Sequence, residues 1–130
     1  MREKIAKHQQ DRGDFWMTIE APIDLPSALR KAPKDAIILV DCLTLWLTNI
    51  LLEKNDVDAA TGAFFAAAKA CPNPIVAVSN EVGQGIVPDS KLGRQFRNAQ
   101  GVLNQQVAAQ ADLVVFVTAG LPQVLKGALP

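Results

Sequence analysis

The chain has 130 residues, 49% of them apolar, and its 13 basic residues balance its 13 acidic ones. That length and apolar content suit one compact domain, taken here as residues 1–130, and the balanced charge excludes the strongly basic surface of a typical nucleic-acid binder. The longest apolar stretch, residues 36–52, is interrupted by polar side chains and is too polar for a membrane span.

The N-terminus and the cysteines indicate a cellular location. The opening MREKIAKHQQ lacks the apolar core of a signal peptide. Cys42 and Cys71 stand apart, without a CxxC or a Cys/His metal spacing, and we expect both to be free thiols. Together these features predict a protein of the reducing cytoplasm.

In chain order, the first predicted elements are two helices separated by a short strand. Residues 1–12 are charged, lack Gly and Pro, and end at Gly13, which predicts a helix. Residues 15–22, FWMTIEAP, predict a short strand. Residues 24–32 predict a short helix, because Asp24 is a good N-cap and a proline is tolerated in the first turn.

The rest of the chain alternates solid apolar runs with segments of helical spacing. The apolar runs predict buried strands over residues 36–42, 74–80 and 112–122, the last running into a turn. The intervening segments predict helices over residues 43–53, 58–70 and 91–111. A Gly-rich loop, EVGQGIVPDS, precedes the longest of these helices.

Val- and Ile-rich strands that alternate with helices are typical of a mostly parallel sheet flanked by helices, so we predict the α/β class. In such sheets a ligand lies beyond the carboxyl ends of the strands. The polar residues at those predicted ends are Glu20, Asp41, Ser79, Asn80, Glu81 and Thr118. The printed sequence contains neither GxxxxGK followed by Ser or Thr nor GxGxxG, the common phosphate-loop patterns.

His8, the single histidine of the chain, has three alternative roles. It is an exposed helix residue, a metal ligand, or a nucleophile or general base near neutral pH. The metal role is disfavoured because no His or Cys lies at ligand spacing, and we assign no metal site. Arg12 would share a helix face with His8, which suits a phosphate substrate: the guanidinium binds phosphate oxygens while the imidazole attacks phosphorus.

The carboxylates at the strand ends also have two interpretations each. Asp41 is either the N-cap of the following helix or a ligand for Mg²⁺ or a ribose hydroxyl, and the residues alone favour the cap. Glu20, at the end of FWMTIE, poses the same choice.

The stretch SNEVGQGIVP is the most unusual in the chain. It is either a flexible connection or a functional loop, and a loop of this length after a buried strand is more often functional. Arg94 and Arg97 on the next helix either face this loop or are ordinary surface residues.

Several stretches together carry a specific resemblance that covers nearly the whole chain. They are KIAKHQQDR, TIEAP, ILVDCLTLWLTNILLE and the run from VSNEVGQGIVPDS to VTAGLP. They resemble the bifunctional adenosylcobinamide kinase / adenosylcobinamide-phosphate guanylyltransferase family of cobalamin biosynthesis. The NEVGxGIVP loop with the helix LGRxFRxxxGxxNQxxAxxAD is the most specific part.

The resemblance implies a two-step activity. The family phosphorylates the aminopropanol arm of adenosylcobinamide with a nucleoside triphosphate, GTP or ATP with Mg²⁺, and then transfers GMP from GTP to that phosphate. The transfer passes through a guanylylated histidine, and His8 matches that histidine by motif. The resemblance further implies a P-loop NTPase fold of the RecA-like type and a homo-oligomer, a trimer in the family.

The resemblance also bears on the other candidate residues. The residues that line the GTP site in the family correspond here to Gln9, Gln10, Asp11, Arg12, Glu20 and Asp41. For Asp41 this favours a ligand over a cap. Motif residues without an assigned role are Asn80, Glu81, Gly83, Arg94 and Arg97.

One departure from the family is expected to matter. Family members open with a strand and a GxxxxGK loop that holds the triphosphate, and these 130 residues start after that unit. The missing strand should leave unpaired strand edges and exposed apolar surface, so we expect the printed chain to be weak or inactive in both reactions. The alternative function is a non-catalytic nucleotide-binding module or scaffold of the same fold.

Overall fold

The computed structural model describes residues 15–83, 85–86 and 88–130. The predicted helix over residues 1–12 lies outside them. The elements in chain order are α1 Leu25–Lys31, β1 Ile38–Asp41, α2 Leu43–Leu52, α3 Val57–Ala70, β2 Ile75–Val78, α4 Lys91–Gln110, β3 Val114–Thr118 and β4 Leu121–Lys126. The alternation of strands and helices confirms the predicted α/β class.

Side-chain caps explain where the helices begin. The Asp24 carboxylate accepts a hydrogen bond from the Ser27 backbone N–H at 3.1 Å, and this caps α1. Asp56 caps α3 in the same way, and the Ser90 hydroxyl accepts from the Gly93 N–H to cap α4. These caps satisfy backbone N–H groups that would otherwise lack a partner, so the predicted helices from residues 24, 58 and 91 are confirmed within a residue or two.

The strand predicted over residues 15–22 is wrong. That segment is irregular, and its apolar side chains Phe15, Met17 and Ile19 are exposed. An apolar sequence forms a strand only where a neighbouring strand completes its hydrogen bonds, and within the described residues none pairs with this segment.

The predicted parallel sheet is confirmed for two strands. β1 and β2 pair in parallel, with Ile38 opposite Ile75 and Asp41 opposite Val78. β3 instead pairs antiparallel with β4, so the described strands form two separate two-stranded sheets.

The β3–β4 hairpin was absent from the sequence prediction, which ended in a turn after β3. That turn exists: Ala119 and Gly120 both have positive φ, 53° and 75°, as a tight two-residue hairpin turn requires. The chain therefore reverses directly into a second strand. The hairpin also contacts α4, because the Lys126 ammonium donates to the carbonyls of Ala108 and Ala109 at 3.1 and 3.0 Å.

The core lies around α2. Its buried side chains pack against α3 and α4, and α1 packs against α3. The core residues are Leu25, Leu29, Val40, Leu43, Trp46, Leu47, Ile50, Phe64, Ala67 and Leu103. Trp46 and Phe64 form a tilted ring pair, with centroids 5.6 Å apart.

The prediction that β1 and β2 are buried strands is wrong for one face of their sheet. Val76 and Val78 are 53% and 40% exposed, and Leu39 on β1 is 37% exposed. The described helices cover only one face of this sheet, so the other face keeps its apolar side chains open. Among the helices that the structure describes, none is long and apolar enough to cross a membrane.

Candidate functional site

The carboxyl ends of β1 and β2 lie side by side. Their register places Asp41 directly opposite Val78, and Ser79 and Asn80 follow at once. The polar residues predicted for this edge, Asp41, Ser79, Asn80 and Glu81, are therefore brought together. Thr118 ends β3 in the separate hairpin sheet, so it does not share an edge with them.

The cap interpretation of Asp41 is wrong. Asp41 is still paired as the last residue of β1, and the N-cap of α2 is Cys42, which makes no side-chain cap hydrogen bond. Because α2 begins at Leu43, Cys42 and not Asp41 is the residue immediately before its first turn. The ligand interpretation of Asp41 stays a prediction.

Glu20 belongs to an irregular segment that α2 holds in place. Trp46 Nε1 donates to the Ile23 carbonyl at 2.8 Å, and Asn49 Nδ2 donates to the Pro22 carbonyl at 3.0 Å. These two bonds fix the chain just after Glu20, which compensates for the absent strand pairing. Glu20 itself is exposed.

A cavity of about 320 Å³ opens between this segment and α1. Its polar lining combines two acids, a hydroxyl and an amine: Glu20, Asp24, Ser27 and Lys31. Hydrogen bonds from the Ser27 hydroxyl and the Ser27 N–H lower the pKa of Asp24 below its ordinary 3.8, so this carboxylate stays charged. The cavity thus offers fixed negative charge beside a lysine, an environment suited to a polar ligand of modest size.

The arginines at the start of α4 face the loop that follows β2, which confirms one of their two predicted placements. Arg97 donates to the carbonyls of Gly83 and Gly85. Arg94 donates to the carbonyls of Pro88 and Asp89, at 3.1 and 2.8 Å. Both guanidinium groups therefore hold loop backbone.

Glu81 and Gly83 form a tight turn within the same loop. The Glu81 carboxylate accepts from the Gly83 N–H at 2.6 Å. A Cβ at position 83 would lie 2.8 Å from that carboxylate oxygen, so a larger residue there would displace the end of the Glu81 side chain.

A partly buried polar cluster below the loop joins Ser79 to Gln100 and Asn104, two residues that were not among the predicted site residues. The Ser79 hydroxyl donates to Asn104 Oδ1 at 2.6 Å, and Gln100 Nε2 donates to both Ser79 Oγ and Asn104 Oδ1 at 2.8 Å. Gln100 is fully buried. A signal was present in the sequence: Gln100 occupies a position of the apolar stripe that also contains Leu103, where a polar residue needs a specific partner.

The remaining predicted site residues, His8, Gln9, Gln10, Asp11 and Arg12, lie outside the described residues. Within the described part of the chain, no group of three or more His, Cys, Asp or Glu side chains is placed to hold a metal ion. Cys42 and Cys71 are free thiols, as expected.

The fold and the site define a class of protein: an α/β protein with an anchored polar loop at the carboxyl edge of parallel strands, where proteins of this class bind ligands. The family model described as cobinamide kinase / cobinamide phosphate guanyltransferase matches residues 1–125. The chain therefore belongs to this family, a family of transferases in cobalamin biosynthesis.

The names of three similar proteins agree with that assignment. The chain is similar to the bifunctional adenosylcobalamin biosynthesis protein CobP of Pseudomonas aeruginosa, with 41% identity over 130 residues that cover 98% of this chain and 75% of the relative. The protein CobU of Salmonella typhimurium, which bears the same bifunctional description, is 36% identical over 143 residues, covering 97% and 78%. CobU of Escherichia coli is 32% identical over 142 residues, with the same coverage.

Proposed function

We propose that this chain is an adenosylcobinamide kinase / adenosylcobinamide-phosphate guanylyltransferase. In the first reaction a nucleoside triphosphate phosphorylates the hydroxyl of the aminopropanol arm of adenosylcobinamide. In the second, GMP passes from GTP to that phosphate and gives adenosylcobinamide-GDP. The observation that carries the proposal is the family match over residues 1–125, a span that includes the His8–Arg12 motif.

The second reaction is proposed to proceed in two displacements at phosphorus. The neutral imidazole of His8 attacks the α-phosphorus of GTP, forming a P–N bond as the P–O bond to pyrophosphate breaks. A phosphate oxygen of adenosylcobinamide phosphate then attacks the same phosphorus, and the P–N bond breaks to release His8. Because protonated imidazole has no free electron pair for the attack, activity should fall as His8 becomes protonated.

The GTP site is proposed to combine residues near His8 with the two carboxylates. Arg12 would bind phosphate oxygens, beside Gln9, Gln10 and Asp11. The position of Asp41 at the carboxyl edge and of Glu20 in the cavity beside α1 support their inclusion. Mg²⁺ would enter as the complex of the nucleotide and so is treated as part of the substrate.

Motif residues of the loop are proposed to shape the site rather than to react. Arg94 and Arg97 donate to loop carbonyls, and Glu81 turns back onto Gly83. Asn80 stands at the start of this loop, next to the carboxyl edge.

The proposal extends to three broader properties: a P-loop NTPase fold of the RecA-like type, assembly as a homotrimer and a cytoplasmic location. The parallel pairing of β1 and β2 beside helices and the family membership support the fold type. Sedimentation analysis of the purified chain tests the trimer directly.

Labelling with α-³²P-GTP and Mg²⁺ tests the proposed function. The protein band should carry label that is acid-labile and base-stable, as a P–N bond is, and His8→Ala should abolish it. Lys7→Ala, a change in the adjacent residue, is the matched control and should keep the label. Label that persists in His8→Ala would contradict the proposed role of His8, and GTP binding without any covalent label would favour the non-catalytic nucleotide-binding scaffold.

A further inference from the structure

We infer that Thr44 and Asn104 are positioning residues that hold the start of the loop after β2 at the carboxyl edge of the sheet. They act on the backbone of Asn80 from two different helices, α2 and α4. The inference deepens the proposed function and rests on it, because the loop concerned borders the proposed GTP site.

Both backbone polar groups of Asn80 are hydrogen-bonded to side chains. Its backbone N–H donates to Thr44 Oγ1 at 3.1 Å, and its carbonyl accepts from Asn104 Nδ2 at 2.9 Å. The side chains of Asn80 and Glu81 are both exposed. The backbone of Asn80 is thus fixed while its side chain stays available, which is the arrangement a preorganised binding edge requires.

Asn104 is itself held in one orientation. Its Oδ1 accepts from Ser79 Oγ and from Gln100 Nε2, which leaves Nδ2 as the group that faces the Asn80 carbonyl. An amide flip would place an oxygen against that carbonyl and would lose two acceptor contacts. The cluster therefore fixes the end of β2 relative to α4.

The cluster also contains a buried polar atom that stability alone does not explain. Gln100 Oε1 is buried and has no hydrogen-bond partner within the described residues. A buried acceptor without a partner lowers stability, yet the same side chain supplies the donor that orients Asn104 and Ser79. A costly polar group at this position is consistent with a positional task for the cluster.

Isosteric variants separate the two contacts with Asn80. Thr44→Val removes the hydroxyl that accepts from the Asn80 N–H, and Thr44→Ser keeps it. Asn104→Asp keeps the acceptor and removes the donor to the Asn80 carbonyl. Thr48→Val is the matched control, because within the described part of the chain the Thr48 hydroxyl donates only to the Thr44 carbonyl of α2.

Two measurements on each variant test the inference: amide hydrogen exchange at Asn80, and affinity for Mg²⁺-GTP followed with a fluorescent GTP analogue. Exchange at Asn80 should become roughly 5-fold faster in Thr44→Val, the change expected for one lost hydrogen bond. Thr44→Ser should restore the slower exchange, and Thr48→Val should not alter it. GTP affinity should fall several-fold in Thr44→Val and Asn104→Asp and recover in Thr44→Ser.

The outcomes separate this inference from the proposed function. Unchanged exchange in Thr44→Val would overturn the inference. Faster exchange with unchanged GTP affinity would also overturn it, because Thr44 would then have a structural role alone. If the unaltered chain binds GTP but forms no label at His8, the proposed function is refuted, while the exchange and affinity comparisons still decide whether Thr44 and Asn104 hold the loop.

Discussion

Replacement of Gln100 by methionine is expected to leave the stability of the protein nearly unchanged, although Gln100 is fully buried and hydrogen-bonded. The two side chains are similar in length and volume. The substitution removes two hydrogen bonds of 2.8 Å, donated to Ser79 Oγ and Asn104 Oδ1. At about 0.5–1.5 kcal/mol each, their loss costs about 1–3 kcal/mol.

The substitution also removes the buried Oε1 that lacks a partner. Relief of that unpaired acceptor returns about 1–3 kcal/mol. No new group is left unpaired, because the Ser79 hydroxyl still donates to Asn104 Oδ1. The two contributions offset each other, so we expect Gln100→Met to change the free energy of unfolding by less than about 2 kcal/mol.

Urea unfolding measures the free energy of unfolding of Gln100→Met, and Leu103→Ala is the comparison variant. Leu103 is 2% exposed on the same helix, and its truncation should cost about 2–5 kcal/mol. Exchange at Asn80 should nevertheless become faster in Gln100→Met, because Asn104 loses one of the two contacts that orient it. A loss of more than about 2 kcal/mol in Gln100→Met would refute the reasoning, since it would mean that Oε1 does have a partner.

Two further predictions concern stability. The Ser27 hydroxyl and N–H lower the pKa of Asp24 below 3.8, so the ionised carboxylate stabilises the fold above that pH and the benefit is lost as the pH falls through the lowered value. In urea titrations Asp24→Asn should therefore be less stable than the unaltered chain at pH 7, and the difference should vanish at low pH; a pH-independent difference would contradict this. Asn73 Nδ2 donates to the carbonyls of Pro33 and Ala36 at 2.7 and 2.8 Å, so Asn73→Ala should lower the unfolding free energy by about 2 kcal/mol. The exposed Asn55→Ala should change it by less than about 0.5 kcal/mol, and equal effects of the two variants would argue against a special role for Asn73.

The helices were predictable because their signals are local. The caps at Asp24 and Ser90 and the apolar spacing of α2 lie within the elements that they define. The strands were less predictable, since a strand depends on its neighbour. Residues 15–22 have strand character but no described partner strand, and the apolar run of β3 has the same composition as a parallel strand but pairs with the next segment of the chain.

One part of the candidate site, its polar edge, was predictable from the sequence, and the polar cluster beneath the loop was not. Polar residues at the carboxyl ends of β1 and β2 followed from the rule for parallel sheets, and the structure brings Asp41 and Asn80 to one edge. The polar cluster was not predicted, because its members meet across long separations in sequence. Gln100 and Ser79 are 21 positions apart, and Asn104 and Ser79 are 25 apart. No short motif encodes such a contact.

The long helix α4 connects two parts of the molecule that are distant in the chain. Its first turns hold the loop after β2 through Arg94 and Arg97, and its last turn accepts the Lys126 ammonium of the hairpin. A helix of 20 residues is about 30 Å long and bends little. While these contacts persist, a displacement of α4 along its axis moves the loop and the hairpin together. A movement of the hairpin is therefore transmitted through α4 to the loop at the edge of the sheet.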